Sequence, residues 1–227
     1  MRKATSNGIC TYCQMEVSKN SRSILSHLAN CQDKHSAEGS DGEDFVLLLI
    51  EDKYSREYWL VIKAKSTIPL KWIDKFIRDI WVECCGHLSE FSDKYSKISM
   101  AQSLDQVFSE GNKIEYVYDF GTSTELKLSL IQSIQDVDDK DITILFRNKE
   151  PEFKCSSCDK KAIAICPYCI DEGDGLLCQS CMGKHKCIQD EGEELASPLV
   201  NSPRAGVCGY TGSAGKKIKK YFPKNVI

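Results

Sequence analysis

The sequence predicts an α+β fold: a central, mainly antiparallel sheet with helices, flanked at both ends by small cysteine-rich modules. Three observations carry that reading. Between residues 45 and 150 the apolar residues run or alternate as strands do, broken by one stretch at helical three-four spacing. Strands and helices do not alternate strictly, which argues against a parallel α/β sheet. Most of the thirteen cysteines among the 227 residues gather outside that region, in pairs two residues apart.

Residues 1–35 carry Cys10-x2-Cys13 and, thirteen residues on, His27-x3-Cys31. Thiolate is a soft ligand that suits zinc, and a C-x2-C pair can grip one ion from a tight turn. His27 and Cys31 are four apart, so a helix presents them one turn from each other. Ile24, Leu25 and Leu28 give the stretch from Ser21 to Cys31 its apolar stripe. The arrangement resembles a small two-strand-plus-helix zinc finger with cysteine as fourth ligand. So short a segment buries too little to fold unaided, and the metal would supply the missing stability. Residues 36–44, with Glu38, Asp41, Glu43 and Asp44 among Gly and Ser, read as an acidic linker.

Residues 45–150 are of a size at which one hydrophobic core suffices, and they are expected to fold without metal. Phe45 to Ile50 is a continuous apolar run, and Tyr58 to Ala64 alternates; both read as strands. Pro69 opens a helix on Leu70, Ile73, Phe76, Ile77, Ile80 and Trp81, with Arg78 and Asp79 on its wet side and Gly86 as its stop. A short helix spans Ser103 to Phe108 and ends at Gly111. Lys113 to Phe120 and Glu125 to Ile134 form a hairpin across the turn at Gly121 to Thr124, and Ile142 to Phe146 is the last strand.

Cys84, Cys85 and His87 invite a nucleophile or ligand reading. A nucleophilic cysteine needs a base that is itself oriented, and nothing in the sequence orients His87. Adjacent cysteines do not easily share one zinc, so these two are expected as small buried groups. Asp119 is expected to cap the turn through Gly121.

Trp81-Val-Glu-Cys-Cys-Gly-His87-Leu-Ser-Glu-Phe91, then Val107-Phe, Gly111 and Tyr116-Val-Tyr118-Asp119-Phe120-Gly121, resembles the plasmid pRiA4b ORF-3-like family. There a strand and helix lead to an H-L-x-x-F element and then to a strand bearing Y-x-Y-D-F-G-D-x-W-x-H. The resemblance spans about residues 45–150 and implies an architecture more than a mechanism, since the family is described by fold and by association with mobile elements. The family's P-x-x-W-R stretch is absent here, and Thr122, Thr124 and Leu126 stand where it has Asp, Trp and His.

Residues 151–190 hold eight ligand-type residues in four pairs: Cys155 and Cys158, Cys166 and Cys169, Cys178 and Cys181, His185 and Cys187. They suffice for two tetrahedral zinc sites, making three ions in the chain. A sequential division would join Cys155, Cys158, Cys166 and Cys169. The short interval before His185 allows a helix to present Cys181 and His185 together, which suits that division. The interleaved one joins Cys155 and Cys158 to Cys178 and Cys181, leaving Cys166, Cys169, His185 and Cys187 for the second ion. The order resembles the B-box and MYND group of cross-brace modules, and interleaving is favoured. Cys208 is a spare thiol that could stand in for Cys187.

Residues 191–227 form a tail ending in Lys216, Lys217, Lys219, Lys220 and Lys224, which reads as solvated. The polar start at Met1 to Cys10 lacks a signal-peptide core, and the longest central apolar run is six residues, so the expected setting is cytoplasmic, reducing and off the membrane. Net charge is −3, giving no global basic field. Zinc sites filled by four mostly thiolate ligands are structural rather than catalytic, and no H-E-x-x-H, phosphate loop or nucleophile elbow appears. The expectation is a non-enzymatic protein-binding adaptor. Nucleic acid, held by Lys216, Lys217, Lys219 and Lys220 with Lys19 and Arg22, is the alternative; an enzyme acting through the central domain is a distant third. An adaptor would tolerate removal of the tail after Gly215.

Overall fold

The computed structural model of the chain describes residues 7–31, 42–212 and 215–223. Glu38, Asp41 and Lys224 lie outside them. The chain opens with β1 (Gly8–Cys10), β2 (Glu16–Val17) and α1 (Ser21–Asn30), the finger read from the ligand spacing. There follow β3 (Glu43–Asp52), β4 (Trp59–Lys65), α2 (Leu70–Ile77) and a π-helical turn at Arg78–Val82. The central region continues through β5 (Ser89–Ser92), β6 (Lys97–Ile98), α3 (Leu104–Ser109), β7 (Lys113–Tyr118), β8 (Thr124–Asp136) and β9 (Ile142–Asn148). Every strand expected from the alternation is present. The first begins at Glu43, inside the stretch read as linker.

These strands form one nine-stranded sheet, ordered β2-β1-β9-β4-β3-β8-β7-β5-β6, with antiparallel pairing throughout. The finger's β1 pairs with β9, Gly8 opposite Asn148 and Cys10 opposite Phe146, so the N-terminal module extends the central sheet. Both sheet faces are covered, which is why β3 reads as a continuous apolar run. Val46, Leu48, Ile50, Leu60, Ile62 and Ile144 face α2 and α3 in the main core. Leu47, Trp59, Val61 and Phe146 face the other way, onto Ile24 and Leu28 of the finger helix.

One irregularity in β9 serves both chain ends. The β4–β9 register shifts between Val61 and Ile62, pairing them with Phe146 and Ile144 and leaving Leu145 bulged. The Leu145 carbonyl accepts from the Thr11 amide at 2.9 Å, while the Ile144 amide donates to the Tyr221 carbonyl at 2.8 Å.

That second bond overturns the picture of a solvated tail. After α6 (Gly215–Lys219), Tyr221 is buried in the main core with its ring edge-on to Phe76 at 4.8 Å. Its hydroxyl donates to Asp79 at 2.9 Å, and Lys220 reaches the same carboxylate at 2.8 Å. Asp79 is therefore buried, not on the wet side of α2. Burial pushes its carboxyl up, but Lys220, Tyr221 and Lys75 outweigh that and leave it below the usual carboxylate range. Two causes moved it inward. The wider π turn changes the helical phase after Ile77, and the tail supplies donors that no helical periodicity reveals.

Beyond β9 lie β10 (Ala164–Ile165), β11 (Leu176–Leu177), α4 (Gln179–Met182), α5 (Lys186–Glu191) and β12 (Ser197–Pro198). The three strands form a second small antiparallel sheet, ordered β11-β10-β12, on a core of little more than Cys166, Leu177 and Ile188. Among the described residues no helix is long and apolar enough to cross a membrane.

Candidate metal centres

In the finger, Cys10 closes β1 and Cys13 follows in a tight turn: Gln14 donates its amide to the Cys10 carbonyl at 3.0 Å and takes φ 60°. Asn20 caps α1, its Oδ1 accepting from the Ser23 amide at 2.8 Å. His27 stands in the last helical turn and Cys31 at the C-cap, so the helix delivers both as expected. All four ligand atoms lie within 4.8 Å of one another, with Cys13 Sγ and His27 Nε2 3.3 Å apart. Burial pushes the Cys10 thiol up to about 12. The His27 ring meets Phe146 of the sheet edge-on at 5.6 Å, joining this site to the central core.

The eight C-terminal ligands divide by interleaving. Cys155, Cys158, Cys178 and Cys181 converge within 4.8 Å, and Cys166, Cys169, His185 and Cys187 do likewise. Each C-x2-C pair turns on a backbone bond: Cys158 to Cys155 at 3.4 Å, Cys169 to Cys166 at 3.3 Å, Cys181 to Cys178 at 3.1 Å. Cys181 rides on α4, whereas His185 caps α5, so the chain breaks between them and they serve different centres. Gly175 is needed for the crossing, since a Cβ there would lie 2.5 Å from the Ile170 backbone. The Ser180 hydroxyl, 3.3 Å from Cys178 Sγ, holds that thiol down, to about 6.

The sulfur spacings fit a tetrahedral metal. Bonds of about 2.3 Å at tetrahedral angles separate ligand sulfurs by roughly 3.8 Å. Cys158 and Cys178 stand at 3.6 Å, Cys158 and Cys181 at 3.7 Å, and Cys169 and Cys187 at 3.6 Å. None of the thirteen cysteines is in a disulfide. His185 Nε2 is buried with no hydrogen-bond partner among the described residues, the condition an imidazole nitrogen is left in when its natural partner is a metal. The three sets read from the sequence are thus chemically fit to hold zinc.

A fourth group was not expected. Cys84, Cys85, His87 and Cys208 bring their ligand atoms within 4.8 Å of one another. Cys85 Sγ lies 2.9 Å from His87 Nε2 and 3.6 Å from the sulfurs of both Cys84 and Cys208; Cys208 is 3.5 Å from His87 Nε2. The reading of Cys84 and Cys85 as small buried groups is therefore corrected: Cys84 is half-buried and Cys85 exposed. So is the substitution of Cys208 for Cys187, since Cys187 joins Cys169 and Cys208 joins this group. The signal for it was the remainder: three sites use ten cysteines, and the three left over share a neighbourhood with His87.

Arg204 backs this group. Its side chain is wholly buried, over the Tyr118 ring at 4.9 Å. Nη1 donates to the Thr122 carbonyl at 2.8 Å and to Thr124 Oγ1 at 3.1 Å; Nη2 donates to Asp119 Oδ2 at 2.7 Å and to Cys84 Sγ at 3.5 Å. Asp119 leaves β7 at φ 65° and accepts from the Gly121 and Thr122 amides at 3.0 and 3.3 Å, the turn cap expected of it. The Arg204 guanidinium holds the Asp119 carboxyl down, to about 2. His87 Nε2 is 3.5 Å from that carboxylate.

No family model matches the sequence, and no curated protein matches it. Among solved structures the chain is similar to the protein of unknown function MM3350 from Methanosarcina mazei Go1. The two share 18% identity over 47% of this chain and 68% of that one, with a TM-score of 0.39.

Proposed function

We propose that the chain is a zinc protein whose metals are structural and whose work is to bind another protein. The observation that carries this is the closed donor sets: each offers four ligand atoms, three or four of them thiol sulfurs. Four donors leave no position for water or substrate, and several thiolates suppress Lewis acidity. What remains for the C-terminal module is a surface. Tyr168, inside the Cys166–Cys169 turn, is 63% exposed and Ile163 42% exposed. An exposed tyrosine is among the side chains that most often anchor a protein interface. The resemblance to cross-brace modules, which mostly bind proteins, points the same way. The central domain is read as a pRiA4b ORF-3-like platform on the Tyr116 to Gly121 element, whose two tyrosines are buried in β7.

Against the nucleic-acid reading stand the partners of its cations. Lys19 is paired with Glu51 and Lys220 with Asp79, so neither is a free phosphate contact. The deciding experiment is capture of partners from native lysate with and without nuclease, using the full chain and a Tyr168→Ala, Ile163→Asp variant that keeps its zinc. A partner set that survives nuclease and is lost in the variant supports the adaptor. Partners that vanish with nuclease and ignore the variant overturn it.

A further inference from the structure

We propose that Cys84, Cys85, His87 and Cys208 form a fourth zinc site, a Cys3His centre that clips the segment 199–212 onto the central domain. It rests on the zinc reading of the other three centres and adds a site that local ligand spacing does not contain. The geometry is that of the other sets: sulfur spacings of 3.6 Å and an imidazole nitrogen 2.9 and 3.5 Å from two of the sulfurs. Three thiolates and a neutral imidazole form a common structural zinc donor set.

The chain reaches this arrangement through specific backbone choices. After the π turn it becomes extended at Glu83, and Gly86 takes φ 81°, its amide donating to Glu83 Oε1 at 2.6 Å. This fold-back sets His87 beside Cys85 and separates the two adjacent sulfurs to a ligand distance. Cys208 arrives from the other side at φ 51°, a left-handed conformation that a side-chain-bearing residue adopts only when held. A metal bond would hold it. Arg204 supplies what such ligands need from their surroundings, an N–H donor to the Cys84 sulfur from a buried, fixed cation.

The clip has something to close. Residues 199–212 bridge the two halves of the molecule. The Leu199 amide donates to the Ile163 carbonyl at 2.8 Å, and Gly206, at φ 81°, lies against Ile165; a Cβ there would stand 2.9 Å from Ile165 Cγ2. Toward the central domain, Ser202 donates to the Trp81 carbonyl at 2.7 Å and Arg204 enters the core. A zinc ion shared by Cys208 and Cys85, whose sulfurs lie 3.6 Å apart across 123 residues of sequence, fixes the far end of this strap.

The test is metal stoichiometry of the full chain by native mass spectrometry. Four zinc ions are expected in the wild type, and three in Cys85→Ser and in Cys208→Ser, both exposed positions, with circular dichroism unchanged. A second readout uses the wild type alone. In the loaded protein Cys85 and Cys208 should resist iodoacetamide despite their exposure, and become the first cysteines alkylated as a chelator removes one zinc. Three ions in the wild type, the full zinc count in both variants, or alkylation of Cys85 with no loss of zinc overturns the fourth site and leaves the other three standing. A chain that takes up no zinc at all overturns both readings.

Discussion

Arg204 and Asp119 form an ion pair of 2.7 Å in which the arginine is wholly buried and the carboxylate nearly so, although 85 residues separate them. A charge from the C-terminal strap thus completes a turn in the central sheet. Removing one partner of a buried pair leaves the other uncompensated, typically at about 3–5 kcal/mol. Arg204→Ala is expected near the lower figure in urea melts of zinc-loaded protein. Arg204→Lys should recover little, because a single ammonium cannot reach Thr122, Thr124, Asp119 and Cys84 together. Full recovery by lysine would show that charge alone matters there.

Interleaved ligation predicts how metal is lost from the C-terminal module. Cys155 and Cys158 flank one side of β10 and β11 while Cys178 and Cys181 flank the other, so one ion closes the loop that presents the second. With so small a core, the module's stability is the binding energy of its metals. Cys158→Ser should therefore release two zinc ions, not one. A variant that loses one ion and keeps Cys166, Cys169, His185 and Cys187 loaded would show the two centres to be independent.

The finger is expected to be inseparable from the sheet. A Cβ on Gly8 would lie 2.3 Å from Trp59 Cη2, so Gly8→Ala must displace a buried ring and should cost about 1–3 kcal/mol. For the same reason the segment 45–150 cut free of residues 7–31 exposes Trp59, Val61 and Phe146. That fragment should aggregate or melt at a lower temperature than 7–150 carrying zinc. Equal melts for the two fragments would support the independent central domain that the apolar pattern suggests.

Docking of the tail is expected to depend on pH through Asp79. Its folded carboxyl is held below the ordinary value, so the stability it lends is present above about 3.9 and is lost as pH falls below that. The reporter is the Ile144 amide, which donates to the Tyr221 carbonyl. Its protection against hydrogen exchange, taken relative to the intrinsic rate at each pH, should fall in Asp79→Asn at neutral pH, and in the wild type only in acid. Tyr221→Ala, which empties a buried aromatic position, should cost about 3 kcal/mol. Tail charge is consequently better tested by reversing Lys217 and Lys219, both exposed, than by deletion. If those lysines contact phosphates, each reversal should lower the slope of log affinity against log salt by about 0.7–0.9.

What the sequence made legible was whatever is encoded locally. The strands of the central sheet followed from alternation, Ser103 marked its helix start, and the C-x2-C spacing located three of the four ligand sets. Interleaving could be favoured because intervals of a few residues restrict which pairs can meet. Cys208 meeting Cys85, Arg204 reaching Asp119 and Tyr221 reaching Asp79 depend on where a long connection finally lands, and no periodicity records that. Asp79 was misplaced for the further reason that the π turn breaks the phase on which a helical-face argument depends.

The nine-stranded sheet ends at β2 on one side and β6 on the other, each two residues long. An extended peptide adding itself as a tenth strand would find at either margin only a residue or two of unpaired backbone, too little ladder to hold it. Edge-to-edge stacking of copies into fibres is blunted in the same way. At those two margins of the described sheet, docking would have to rely on side chains rather than on backbone pairing.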